Sequence, residues 1–154
     1  MPRIGLLCAL ALVVACGDDG PTGPGAPAEL ELAPEVAAFV ASMNSHRIAE
    51  GCAALEWDVD VEAVATAHSQ DMVDRSFFSH TNPDGDGPGD RLAQAEIDYS
   101  GWAENIAAGY TSGESVLGAW LNSSGHRANI ENCSLMHHGV GLVDTHWTHV
   151  FLRP

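Results

Sequence analysis

The 154-residue chain contains no lysine. Its six arginines face 21 aspartates and glutamates, for a formal net charge of −15. A surface of that sign repels phosphate backbones, which argues against nucleic acid as a partner. It suits solubility, divalent cations or basic partners instead. No C-x-x-C or zinc-finger spacing occurs, so a structural zinc site of that kind is not expected. There is no H-E-x-x-H helix and no G-x-S-x-G elbow, which removes two common hydrolase signatures. No internal repeat is present, and no apolar run is long enough to span a bilayer as a helix.

What remains is an ordinary globular balance, 45% hydrophobic and 18% charged. The length allows one domain plus short extensions. The first extension is legible. Met1 to Arg3 is short and positive, and Ile4 to Ala15 is small and apolar, which reads as the h-region of a signal peptide over residues 1–15. The run closes on Val13-Val14-Ala15-Cys16, which resembles the lipobox of bacterial lipoproteins. That resemblance implies lipidation of Cys16 and a protein tethered to a membrane surface. The competing reading is a plain secretory signal with an incidental cysteine. Residues 16–33 hold Gly, Pro and Asp without apolar periodicity, as a flexible linker does. A single domain is expected over 34–154, acting as a monomer.

Cysteine use agrees with export. Cys8 falls in the leader and Cys16 is the candidate anchor, which leaves Cys52 and Cys133 in the domain. Two cysteines in an exported domain are read first as a disulfide.

Val36, Phe39, Val40 and Met43 make an apolar stripe with Arg47 one turn on, which predicts a helix ending near Gly51. Asp58 or Asp60 can cap a second helix with the stripe Val61, Val64, Ala65, His68 and Met72, ending near Arg75. Ser79 to Gly89 is dense in turn residues. A short helix over Arg91 to Ala95 follows. Trp102 to Gly109 is ambiguous between strand and loop. Thr111 to Glu114 has capping-box spacing before a helix through Val116, Leu117, Trp120 and Leu121. Ser124 can cap another helix over His126 to Asn132. The period then changes to two, and Gly139 to Val143 and Trp147 to Leu152 read as an antiparallel hairpin. Helices first and strands last argue for an α+β fold.

Eight motifs follow one another in order. They are Asn44-x-x-Arg47, Leu55-x-Trp57-Asp58, Ala67-His68-Ser69-x-Asp71-Met72, Phe77-Phe78-Ser79-His80 and Ala103-Glu104-Asn105-Ile106-Ala107. Then come Trp120-x-x-Ser123-Ser124-Gly125-His126-Arg127-Ala128-Asn129-Ile130, Gly139-Val140-Gly141 and Trp147-x-x-x-Phe151. The series resembles the bacterial branch of the CAP superfamily (SCP-like, cysteine-rich secretory and pathogenesis-related proteins) over about residues 36–152. The resemblance implies a three-layer α-β-α sandwich with a small, mainly antiparallel sheet. It also implies a surface cleft in which His80, Glu104 and His126 match the family's histidines and acid. Many eukaryotic members carry a second glutamate where this chain has Ser123, which puts any two-carboxylate mechanism in doubt.

Two imidazoles and a carboxylate suit a divalent metal, zinc before calcium. Without metal, Glu104 could orient one histidine and the cleft could bind polar ligands without catalysis. The function expected is therefore an exported, membrane-anchored module that binds a small molecule, a lipid or a protein. The alternative is a peptidase-like hydrolase, with Ser79 or Ser124 as nucleophile. Asn105, Arg127 and Asn129 are expected to support the cleft through hydrogen bonds, and Asp84, Asp86 or Asp90 could approach it. His68 is expected in the core. The four tryptophans are expected as core or cleft wall, with core favoured. His137, His138, His146 and His149 are expected mostly as exposed polar residues rather than a second metal patch.

Overall fold

The structure is a computed structural model that describes residues 32–154. The expected signal segment, the candidate anchor Cys16 and most of the expected linker lie outside the described residues. The elements are α1 (Pro34–Ala49), β1 (Glu56–Trp57), α2 (Val59–Asp74), α3 (Pro88–Gln94), β2 (Gly101–Ala108), α4 (Gly113–Leu121), α5 (Ser124–Ile130), β3 (His137–Val143) and β4 (His146–Arg153). Among the described residues, no helix is long and apolar enough to cross a membrane.

The helix ends follow local chemistry. Asp58 caps α2 by accepting from the Asp60 and Val61 amides. The α1 helix closes on Gly51, whose φ of 87° lets the Cys52 amide reach back to the Arg47 carbonyl. Three predicted boundaries move. The helix expected from Arg91 begins at Pro88, because proline fits the first helical position and Asp90 accepts the Gly87 amide at 2.9 Å. The cap of α4 is Ser112, which accepts from the Ser115 amide, not Thr111. The cap of α5 is Ser123, with Ser124 already inside the helix.

The sheet order is β1-β3-β4-β2, with β1 parallel to β3 and the other two pairings antiparallel. The ambiguous Trp102–Gly109 segment is strand β2, and β1 was not foreseen. The hairpin turns at Asp144-Thr145, with Asp144 in the left-handed region (φ 51°) and His146 already in β4.

Alternation on β4 divides the core into two. Val150 and Leu152 face one layer and pack with Val61, Val64 and Ala65 of α2 and Leu92 of α3. Trp147 and Phe151 face the other and pack with Phe39 and Met43 of α1 and Val116 and Trp120 of α4. The result is the expected three-layer α-β-α sandwich. The helix α2 lies directly on β3, and a Cβ built on Gly139 would sit 2.1 Å from the Glu62 nitrogen, one on Gly141 2.4 Å from the Ala65 carbonyl carbon. That close approach is the physical content of the Gly139-Val140-Gly141 motif.

A disulfide joins Cys52 and Cys133, 81 positions apart. Beside it, Arg47 is buried at 1% exposure. Its guanidinium donates to the carbonyls of Ala53, Ile130, Asn132 and Leu135, knitting α1 to the chain after α5. Asn44 exchanges two hydrogen bonds with the backbone of Leu55. The Asn44-x-x-Arg47 motif is thus a structural clamp.

Two expectations are corrected here. His138 and His149 are fully buried, not exposed. Their rings meet at 3.0 Å, with His149 among Phe39, Trp120 and Phe151 and His138 against Trp57. Alternation sends both toward α1, onto the face that carries Trp147, Phe151 and Val140. Trp102, by contrast, is 42% exposed and covers Gly89 from the sheet edge. His68 is a core residue as expected, donating Nε2–H to the Ser79 carbonyl.

Candidate functional site

The edge strand β2 organises the site, because its successive residues serve different layers. Glu104 turns toward α3 and the preceding loop. It is buried, so its charge requires strong partners. It has two: His80 donates Nδ1–H to Oε1 at 2.8 Å, and Arg91 donates from Nη2 to Oε2 at 2.7 Å. A carboxylate only accepts, so the Nδ1 hydrogen is fixed and Nε2 is the ring nitrogen left to face a ligand. Arg91 also donates to the carbonyls of His80 and Asp86, which binds the loop to the strand. His80 itself remains half exposed.

The neighbouring residue faces the other way. Asn105 is fully buried and donates to the His126 carbonyl of α5 at 3.1 Å. Asn129 donates to the Glu104 carbonyl and to Asn105 Oδ1. Trp120 donates its indole N–H to the Ile106 carbonyl. Side chains of α4 and α5 therefore cover the outer carbonyls of β2 and hold His126 beside it. Burial first, and the charge of His80 second, lower the His126 pKa, so this imidazole is neutral at pH 7. The cleft at this edge has a volume of about 600 Å³, and Phe78, Ile106, Tyr110, Trp120, Ser123 and His126 line it.

Residues 40–151 match the family model described as CAP, the cysteine-rich secretory protein family. The chain belongs to the CAP family. It is 40% identical over 111 residues to the uncharacterized protein YkwD of Bacillus subtilis, covering 71% of this chain and 43% of that one. It is 37% identical over 110 residues to the uncharacterized membrane protein YlbC of the same organism, covering 71% and 32%. The chain thus spans less than half the length of the curated relatives it matches. Among solved structures it is similar to an extracellular protein containing an SCP domain from Bacillus anthracis, with a TM-score of 0.74 and 36% identity over 77% of this chain and 40% of that one. An outer surface protein of Borrelia burgdorferi shares the fold, with a TM-score of 0.73 and 21% identity over 77% of this chain and 92% of that one.

In this CAP domain the expected site residues divide. His80 and Glu104 are in direct contact, and His126 reaches the same strand from the opposite layer. Asn105 and Asn129 hydrogen-bond β2 to α5, and Ser123 lines the cleft. The Arg127 side chain is exposed and makes no hydrogen bond among the described residues. The loop acids also serve elsewhere, Asp84 pairing with Arg75, Asp86 with Asn82, and Asp90 with Gly87.

The donor set bears on a metal. Both Glu104 oxygens are engaged, and Arg91 already neutralises its charge. Among the described residues, the ligand atoms of His80, Glu104 and His126 do not gather within 4.8 Å of one another. The atoms left to hold an ion in the cleft are therefore His80 Nε2 and the His126 ring, with Glu104 acting behind His80 as an orienting acceptor.

Arg91 was missed from the sequence. Its only signal was a lone arginine in a short helix after a turn-rich loop, in a chain with few cations to neutralise a buried acid.

Proposed function

We propose that this CAP domain is a ligand-binding module acting outside the cytoplasm. Its cleft would hold a small amphiphile, with the polar head on His80 and His126 and the apolar part against Phe78, Ile106 and Trp120. The observation that carries the reading is the arrangement of Glu104. Its charge is spent on fixing His80 and Arg91, so this strand edge offers one imidazole held by Glu104, a second, His126, in the apolar wall of the cleft, and no free carboxylate. Phe78, at 54% exposure, gives the rim of the cleft an exposed apolar surface. The extracellular and outer-surface relatives support export, and the lipobox-like run supports a tether through Cys16.

The hydrolase alternative needs a nucleophile bonded to a base. Neither the Ser79 nor the Ser124 hydroxyl is hydrogen-bonded to a histidine among the described residues, and His80 Nδ1 is held by Glu104. Zinc would join the binding reading as an ion on the two imidazoles.

The test follows the His80 and His126 ring signals by NMR while single-chain amphiphiles with carboxylate, phosphate and neutral heads are added. Saturable shifts of both rings, abolished in a His80→Ala, His126→Ala double variant, are expected. Ring signals unmoved by every head group would overturn the reading. Peptide or ester turnover lost in Glu104→Gln would establish the hydrolase in its place.

A further inference from the structure

Where the C-terminal ends of α1 and α5 meet lies a second group of ligand-type side chains. Among the described residues, His46, Glu50 and Glu131 form the one trio of His, Cys, Asp or Glu whose donor atoms all lie within 4.8 Å of one another. We infer that this trio is a divalent-metal site, of the borderline zinc class, that staples the end of α1 to the end of α5.

The geometry carries the inference. His46 and Glu50 are four residues apart at the end of α1, so their side chains stack on one face. Glu131 comes from the end of α5, and His46 Nε2 lies 3.0 Å from its Oε1. Two ligands of one tetrahedral zinc, each bonded at about 2.1 Å, stand about 3.4 Å apart. The pair needs to open by only a few tenths of an ångström to admit the ion. One imidazole and two carboxylates are donors that zinc accepts, and open positions remain for water.

The charge distribution points the same way, independently of the distances. Glu50 is the C-cap residue of α1 and Glu131 the C-cap residue of α5. A helix C-terminus is the negative end of its dipole, where an acid is the unfavourable choice. Here two acids at two such ends converge, and neither pairs with an arginine among the described residues. The Arg47 guanidinium, three positions before Glu50, is turned inward onto four carbonyls. A divalent cation relieves this repulsion. In the cleft, by contrast, Arg91 neutralises the one buried acid.

The covalent frame preorganises the trio. Glu50 stands two residues before Cys52 and Glu131 two residues before Cys133, and the disulfide holds those cysteines with Cα atoms 4.9 Å apart. The bridge fixes the two glutamate-bearing segments before any ion arrives. Little ordering entropy is then left to oppose binding.

Calorimetric titration of the purified chain with zinc chloride tests the site, first as wild type and then with His80→Ala and His126→Ala to remove the cleft imidazoles. One zinc per chain is expected, surviving the cleft substitutions and weakened at least tenfold by Glu131→Gln and by Glu50→Gln. These three positions are half-buried or exposed, so the variants fold, and a circular-dichroism melt checks it. Zinc should raise the Tm of wild type and leave that of Glu131→Gln unmoved. No binding at 1 mM zinc (roughly the limit of a useful site), or binding indifferent to both glutamate substitutions, would overturn the proposal. Binding lost only with the cleft histidines would assign the ion to the cleft instead and also overturn it.

Discussion

Acid should unfold this protein through the buried His138–His149 pair. Both rings are fully buried, and one donates to the other at 3.0 Å. Among the described residues, His138 Nε2 and His149 Nδ1 have no hydrogen-bond partner. Nothing around them welcomes a proton. Burial, then the charges of Arg47 and His137, lower the His138 pKa from 6.5 to about 4. Burial, then His138 and Arg47, hold His149 well below 6.5.

The sign follows from linkage. The folded pKa lies below the unfolded value, so the unfolded chain takes up the proton first as pH falls. The stabilisation is complete above about pH 6.5 and is lost down to about pH 4. For His138 alone the shift is worth about 3 kcal/mol in full and about 2 kcal/mol by pH 5. Urea unfolding followed by tryptophan fluorescence should show a midpoint about 1–2 M lower at pH 5 than at pH 8, for an m-value of about 1–2 kcal/mol/M.

Other groups also titrate in this window. His68 and His126 are lowered too, which adds to the loss, while protonation relieves some of the net negative charge and opposes it. The decisive quantity is therefore the difference between wild type and a His138→Leu, His149→Phe double variant, whose new side chains suit the apolar surroundings. The variant should recover about 2 kcal/mol or more of the loss between pH 8 and pH 5. Equal pH dependence in the two proteins would refute the reasoning.

Three further outcomes follow from the packing. Gly141→Ala places a methyl group 2.4 Å from the α2 backbone and should cost about 3 kcal/mol or more, read as a fall in Tm; a change under 1 kcal/mol would mean that α2 can lift off the sheet. Replacing Cys52 and Cys133 by serine opens a loop closed across 81 positions and should cost about 4–5 kcal/mol in the chain-entropy account, measured by urea unfolding. Arg91→Met leaves the buried Glu104 with His80 alone and should destabilise by roughly 3–5 kcal/mol at pH 8, whereas Arg91→Met with Glu104→Gln should recover part of that cost.

Much of this fold is legible in the sequence. The stripes of α1 and α2 and the period-two runs of the hairpin survive because each element buries one face. The motif order carried the family, and with it His80, Glu104 and His126. Composition and export carried the disulfide. The failures share a cause: they depend on what sits opposite. A two-residue strand such as Glu56–Trp57 has no periodicity of its own and exists only because β3 runs beside it. His138 and His149 have polar names, and alternation could not tell that both point into the apolar side of the sheet. Arg91 became a site residue only when the fold brought its helix against β2. Likewise His46, Glu50 and Glu131 are 85 positions apart at their extremes and carry no motif. Only the bridge between the cysteines beside them hinted that these segments meet.

The hydrogen bonds that Asn129 and Trp120 make to β2 have an effect beyond the cleft. An unpaired sheet edge invites a strand from another molecule, and this four-stranded sheet has two edges. One is β1, two residues long, which pairs with β3 at His137 and His138 alone. The other is β2, eight residues long, whose outward carbonyls at Glu104 and Ile106 are already occupied by side chains of the same chain. The cleft wall is therefore also a guard against self-association. Substitutions at Asn129 or Trp120 made to probe ligand binding would uncover a strand edge, and lost solubility in them would report that exposure rather than a change in the ligand's affinity.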